Sequence, residues 1–145
     1  MRPLLINTVL LDQQQNHFCS IHYNGFRNVT YQSWQGVLSP DELKKGYHSS
    51  LDVLTKTACA SVINDCSAVE GVEPENLSQF TQHWLSEALG KGVKFIAQVT
   101  SDEVSPEPFA AMKALSVIEG DFEMEIFDNI DEAMHWIAFK NECEI

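Results

Sequence analysis

Polar side chains that could carry chemistry cluster between residues 60 and 74. A short apolar run, Ala60–Ile63, leads into a polar segment, and Pro74 marks the first turn of a helix. At such strand-to-helix junctions, α/β sheets bring backbone N–H groups and side chains together. The pattern predicts a functional surface here. The candidate partner-binding residues are Asn64, Asp65, Cys66, Ser67, Glu73 and Glu75.

Cys66 is the one candidate nucleophile in this segment. A thiol near a helix start can have a lowered pKa and react as a thiolate. However, no histidine or basic residue is adjacent to it in the sequence. Asp65 is explained by a bond to a neighbouring backbone N–H in the expected turn, and Glu73 and Glu75 by the helix dipole. We therefore expect no catalytic residue, and a thiol-dependent enzyme acting through Cys66 is kept as an alternative.

Neither a metal nor a cofactor is expected. The five histidines form no His-x-His or His-x-x-x-His pair, and the four cysteines form no Cys-x-x-Cys pair. No glycine-rich phosphate loop is present. Cys19 and Cys59 lie in strand-like runs and are expected to be buried, whereas Cys143 is expected to be an exposed thiol.

Charge limits the class of partner. The net charge is −12, and residues 73–145 carry 15 acidic but only 4 basic side chains. Such a surface repels nucleic acids and anionic membranes. Two interpretations remain, a solvated surface and a docking surface for a basic protein. Because no apolar run reaches the roughly 20 residues of a membrane span, and no signal peptide is recognisable, we expect a cytoplasmic protein.

The elements that must position these residues follow an alternating pattern. Three strands come first, and strands and helices then alternate, which gives the order βββαβαβαβα and predicts an α/β fold with a mixed sheet in a single domain, residues 1–145. The predicted strands are Leu4–Leu11, Phe18–Tyr23, Val29–Trp34, Cys59–Ile63, Val93–Thr100 and Phe122–Phe127. The predicted helices are Pro40 to about Thr57, Pro74 to about Leu89, Pro106 to about Ile118, and a fourth that starts around Asp128–Asn129, with a frayed tail at residues 140–145.

Helix boundaries are marked by local signals. Ser39 and Glu42 form a Ser-x-x-Glu capping box around Pro40. Ser105 is expected to cap the third helix, and a glycine of the segment 90–92 is expected to end the second.

Two aromatic residues near the end of the chain suggest a further contact. Trp136 falls off the apolar stripe of the fourth helix, and Phe139 lies near it. Exposed aromatic side chains of this kind predict a homodimer. The alternative is that they cover the sheet edge or pack on the N-terminal strand.

Three patterns resemble the SpoIIAA-like fold of STAS domains (sulfate transporter and anti-sigma-factor antagonist), in particular small stand-alone bacterial proteins of that fold. They are Val29–Gly36 leading into Leu38–Leu43, Asp65 at a strand end, and Phe127–Trp136. The resemblance covers residues 16–139. It implies a mixed sheet with about four helices.

The resemblance also implies regulation through a protein partner. Anti-sigma-factor antagonists carry Asp-Ser-Ser/Thr-Gly at a helix start, where a kinase phosphorylates a hydroxyl. Here Glu73 stands at the aspartate, Pro74 and Glu75 replace the hydroxyl residues, and Asn76 replaces the glycine. We therefore expect a non-enzymatic regulatory or protein-interaction module that lacks the phosphorylatable residue.

A second class of function is binding of a small apolar ligand or lipid. The SpoIIAA-like fold resembles the CRAL-TRIO lipid-transfer fold in arrangement. Binding would require a cavity, for example between the second and third helices near Phe80, Trp84, Phe109 and Met112. The alternative is that these four side chains are core residues.

Overall fold

Six strands and four helices are arranged along residues 4–143, the part of the chain that the computed structural model describes. The strands are β1 (Leu5–Leu11), β2 (His17–Asn24), β3 (Val29–Leu38), β4 (Ser61–Val72), β5 (Phe95–Val99) and β6 (Glu123–Phe127). The helices are α1 (Pro40–Thr57), α2 (Pro74–Gly90), α3 (Glu107–Glu119) and α4 (Ile130–Cys143). The predicted order βββαβαβαβα and the α/β class are confirmed.

All six strands form one mixed sheet in chain order. β1, β2 and β3 are antiparallel neighbours, whereas β3 to β6 run parallel to one another. Parallel neighbours require crossover connections, which α1, α2 and α3 provide. The larger apolar core lies on the face with α1 to α3. α4 packs on β4, β5 and β6 over the second, smaller core.

The parallel strands give the sheet two chemically different edges. The ends of β3, β4, β5 and β6 lie together at what we call the carboxyl edge, and their starts lie at the amino edge. Each of the four helices begins at the carboxyl edge. Because β1 and β2 are antiparallel, the turn between them also lies there. Residues that follow a strand in the sequence are therefore brought to one side of the molecule.

β4 is much longer than the sequence indicated. It was expected to end at Ile63, but it continues to Val72. Only its first half is paired on both sides, because its pairing with β5 stops at Asp65, which is opposite Val99. The second half pairs with the end of β3, which is also extended and reaches Leu38. This pairing contains two irregularities in register. The expected polar turn after Ile63 is therefore wrong.

Two local expectations, the Ser105 cap and the frayed tail, also need correction, whereas the expected left-handed glycine after α2 is present. Ser105 does not cap α3, whose N-cap is Pro106 and has no side-chain bond. At the end of α2, Gly92 takes the left-handed conformation with φ of 102°, two residues after the last helical residue. The expected frayed tail is wrong up to Cys143, because α4 continues to that residue; residues 144 and 145 lie outside the described range.

The capping box at α1 is confirmed. Glu42 N donates to Ser39 Oγ, and Ser39 N donates to Glu42 Oε1. Within residues 4–143, no helix combines the length and apolar character that a membrane crossing needs.

Candidate functional site

A ladder of three side-chain amides crosses the middle of the sheet on the face with α1 to α3. Gln32, Asn64 and Gln98 are register partners on β3, β4 and β5. Asn64 Oδ1 accepts from Gln32 Nε2 at 2.9 Å and from Trp34 Nε1 at 2.8 Å. Asn64 Nδ2 donates to Gln98 Oε1 at 2.7 Å. Asn64 is therefore the centre of a buried polar network rather than a surface contact.

The network continues into the helices. The Ser50 hydroxyl of α1 donates to Gln32 Oε1 and accepts from Trp84 Nε1 of α2 at 2.9 Å. Ser50, Gln32 and Trp84 are almost completely buried. Buried polar groups cost free energy unless they are hydrogen-bonded, so these partners fix the positions of both helices on the sheet.

Cys66 lies on the same face and is also buried. Gln98 Nε2 donates to its Sγ at 3.4 Å. Burial raises the pKa of the Cys66 thiol to about 12, against the smaller opposing effect of the Gln98 hydrogen bond. A neutral, enclosed thiol is a poor nucleophile. The environment of Cys66 therefore opposes a thiol-dependent reaction.

Asp65 faces the opposite side of the sheet. Its Oδ2 accepts from the Tyr31 hydroxyl of β3, and its Oδ1 accepts from Ser67 N at 2.9 Å. The expected bond to a neighbouring N–H is present, but within a strand rather than a turn. Burial and then the Asp65 hydrogen bond raise the pKa of Tyr31 to about 12. With only 5% of its surface exposed, Asp65 is not free to bind a partner.

The exposed candidates lie at the carboxyl edge, among other acidic residues. Ser67, Glu73 and Glu75 are all exposed. The junctions that follow β3, β4, β5 and β6 each add carboxylates. We call this set the acidic edge, and it consists of Asp41, Glu42, Glu70, Glu73, Glu75, Asp102, Glu103, Glu107, Asp128, Asp131 and Glu132.

A cavity of about 570 Å³ opens beside this edge. The turn between β1 and β2 forms one side through Asp12, and the extended end of β4 forms the other through Ala68 and Glu70. Glu42 of α1 also lines it. The acidic residues Asp12 and Glu42 were not among the sequence candidates. Antiparallel pairing of β1 and β2 places Asp12 there, and the start of α1 after β3 places Glu42 there. The regular occurrence of acidic residues after each strand was the signal that could have identified the edge.

Few cations neutralise the acidic edge. Within residues 4–143, one ion pair involves a residue of the acidic edge, namely Asp41 with Lys45 at 3.0 Å. Glu73 Oε2 accepts instead from Asn76 Nδ2 at 2.7 Å. Most other basic residues lie towards the amino edge, namely Arg27, Lys56, Lys91, Lys94 and Lys140. The positive ends of the helix dipoles partly offset the carboxylates of the acidic edge. Because most of the basic residues lie at the opposite edge, the potential at the acidic edge is still negative.

The two aromatic residues of α4 behave differently. Trp136 is half-buried, and its ring packs against Phe95 and Phe127 with centroid distances of 6.4 and 6.0 Å. The expected exposure of Trp136 is therefore wrong, because the smaller core extends to it. Phe139 is 59% exposed.

Where a cavity was expected, between the second and third helices, the surface has a groove that is open to solvent. It has a volume of about 390 Å³ and is lined by Leu85, Leu89, Met112 and Leu115, among others. Trp84 and Phe109 are core residues. Across residues 4–143, no three His, Cys, Asp or Glu side chains are grouped so that they could hold a metal ion.

Comparison with known proteins identifies similar folds. Neither a protein-family model nor a curated protein matches the chain. The chain is similar to an uncharacterized protein of the DUF3478 family with a SpoIIAA-like fold from Shewanella loihica PV-4, at 12% identity, with 94% of this chain and 98% of that chain covered and a TM-score of 0.46. It is also similar to an anti-sigma factor antagonist from Mycobacterium paratuberculosis, at 11% identity, with coverage of 92% and 94% and a TM-score of 0.47. The SpoIIAA-like fold that the sequence patterns resemble is also the fold of the Shewanella protein.

Proposed function

We propose that the protein is a non-enzymatic, cytoplasmic interaction module that binds a basic protein partner through the acidic edge. The observation that carries this proposal is the exposure of carboxylates from all four strand-to-helix junctions on one side of the sheet. Electrostatic complementarity of this kind steers association and selects the sign of the partner's charge.

The contact surface that we propose is smaller than the segment 64–76. Asn64, Asp65 and Cys66 are buried at 4%, 5% and 3% exposure, so they would support the surface from below. Ser67, Glu73 and Glu75 remain as direct contacts. Glu70 joins them, because it is exposed and lines the neighbouring cavity.

We also propose that the surface works without a phosphorylation switch. α2 begins at Pro74, with Glu73 as its N-cap and Glu75 in its first turn. No hydroxyl residue therefore stands at the start of this helix. Its negative charge is permanent, which favours constant rather than kinase-controlled association.

A homodimer through Phe139 is a further part of the proposal. This large apolar side chain is mostly exposed on α4, and a second copy would remove it from water. Trp136 belongs to the protein's own core and would support this contact only indirectly.

Comparative capture from a native lysate tests the interaction proposal. The triple variant Glu70→Gln, Glu73→Gln, Glu75→Gln neutralises exposed groups of the acidic edge. The control variant Glu87→Gln, Glu119→Gln, Asp121→Gln makes the same change in net charge near the amino edge, also at exposed positions. We expect the control to retain the partner of the wild type and the edge variant to lose it. Equal recovery with both variants would contradict the proposal.

A further inference from the structure

A second cavity, of about 600 Å³, lies at the amino edge on the face that α4 covers. Its floor contains Ile63 of β4 and Phe95 of β5. One wall is α4, through Ile137 and Ala138, and the opposite wall is the turn between β2 and β3, residues 26–28. The cavity is therefore at the other end of β4 from the acidic edge.

Hydrogen bonds tie the two walls together. Asn141 of α4 donates from Nδ2 to Arg27 O at 3.0 Å and to Asn28 O at 3.2 Å. Its Oδ1 accepts from the Ser61 hydroxyl of β4. Asn28 holds the turn in the left-handed conformation with φ of 53°. Three elements are thus joined by one side chain, which favours a preformed cavity.

The lining is mainly apolar, with charge at the mouth. Phe26 and Met134 are exposed at 73% and 39%, although both are large apolar residues. Arg27 also lines the cavity, and within residues 4–143 its guanidinium has no ion-pair partner. Glu142 is the single acidic residue among the described lining residues. With Lys94 also in the lining, the mouth has two basic side chains and one acidic one, in a chain whose net charge is −12.

We propose that this cavity binds one aliphatic carboxylate. Ligand pockets are typically 300–1,000 Å³, mostly apolar, with a few polar groups that fix orientation. The aliphatic chain would lie against Phe26 and Met134, whose apolar side chains are exposed, and the carboxylate would lie beside the Arg27 guanidinium, whose planar donors suit a carboxylate. This activity is additional to partner binding and uses the opposite edge of the sheet.

Calorimetric titration of the full chain with dodecanoate, below its micelle concentration, tests this proposal. We expect saturable binding of one molecule per chain, weaker binding of dodecanol and none of acetate. Dodecanol that binds as tightly as dodecanoate would overturn the role of the carboxylate. The absence of saturable dodecanoate binding would overturn the site itself.

Three variants locate the site. Ala138→Trp fills the cavity from an exposed position and should abolish binding. Arg27→Gln should weaken dodecanoate binding about fivefold, as expected for one exposed ion pair, without changing dodecanol binding. Lys56→Gln, which makes the same charge change away from the cavity, should bind like the wild type. If Ala138→Trp keeps the wild-type circular dichroism and still binds, or if the Arg27 and Lys56 variants weaken binding equally, the proposed location is wrong.

Discussion

The Asn64 side-chain amide donates a 2.7 Å hydrogen bond to Gln98 Oε1 across β4 and β5, and the same residue accepts two bonds from β3. One asparagine therefore connects three parallel strands on the side that faces α1 and α2. It fixes the register of the sheet, so that the ends of these strands meet at one edge.

Replacing Asn64 should be far more damaging than replacing Asn76, which is only partly buried. Asn64→Ala leaves Trp34 Nε1, Gln32 Nε2 and Gln98 Oε1 without this partner inside the core, which should lower the free energy of unfolding by about 3–5 kcal/mol. Asn76→Ala removes one bond at the protein surface and should cost less than about 1 kcal/mol. Urea unfolding of both variants measures the difference, and similar losses would contradict the role assigned to the network.

Gly46 should tolerate no side chain. A Cβ atom there would lie 2.3 Å from Cη2 of the Trp34 ring, which is held by its bond to Asn64. We expect Gly46→Ala to lower the free energy of unfolding by about 1–3 kcal/mol or more. Gly90→Ala is the matched control in α2, because nothing lies within 4 Å of the added Cβ, and it should be neutral or stabilising by up to about 1 kcal/mol. Thermal unfolding compares the two variants.

Stability should fall in alkaline solution because burial raises the pKa of three thiols, Cys19, Cys59 and Cys66. Burial raises the pKa of Cys66 and of Cys19 to about 12 from an ordinary value of 9.0. Since the folded state keeps protons that the unfolded state has lost, their contribution is complete below pH 9 and decreases as the pH rises towards 12. The expected slope is about 1.4 kcal/mol per pH unit for each thiol.

Denaturant unfolding across this pH range measures that slope. Cys66→Ala should reduce the slope by about 1.4 kcal/mol per pH unit, whereas Cys143→Ser, at an exposed position, should leave the slope unchanged. A slope that Cys66→Ala does not alter would show that this thiol is already ionised or accessible in the folded protein.

Substitution of Trp136 should affect folding stability, whereas substitution of Phe139 should affect assembly. Trp136→Ser removes the packing on Phe95 and Phe127 and should cost roughly 2 kcal/mol of stability. Phe139→Ser should leave stability within about 0.5 kcal/mol, yet convert a dimer to a monomer. Solution scattering gives the mass of each protein, and a monomeric wild type would remove the homodimer proposal.

How much could be predicted from the sequence depends on how far apart in the chain the interacting residues lie. The box of Ser39 and Glu42 involves residues three apart, and the alternation of strand and helix is a periodic pattern, so both were accessible. The extension of β4 to Val72 depends on its pairing with residues 35–38 of β3, which are distant in sequence. Polar residues of this strand therefore resembled a turn.

The candidate site was predicted only in part for the same reason. Glu73 and Glu75 were identified because they flank a helix start. The burial of Asn64 and Asp65 depends on partners in other strands, Gln98 and Tyr31, and no local pattern reports such contacts. Gln32 and Gln98 lie among apolar strand residues, which in retrospect indicated a buried polar network.

The most direct test of the central claim compares the affinity of one captured basic protein for three forms of the chain. These are the wild type, the acidic-edge variant neutralised at Glu70, Glu73 and Glu75, and the control neutralised at Glu87, Glu119 and Asp121. Calorimetric titration should show at least a tenfold weaker Kd for the edge variant, which corresponds to about 1.4 kcal/mol, and a Kd for the control within about twofold of the wild type. An equal loss of affinity in both variants would contradict the account, because net charge rather than the acidic edge would then determine binding.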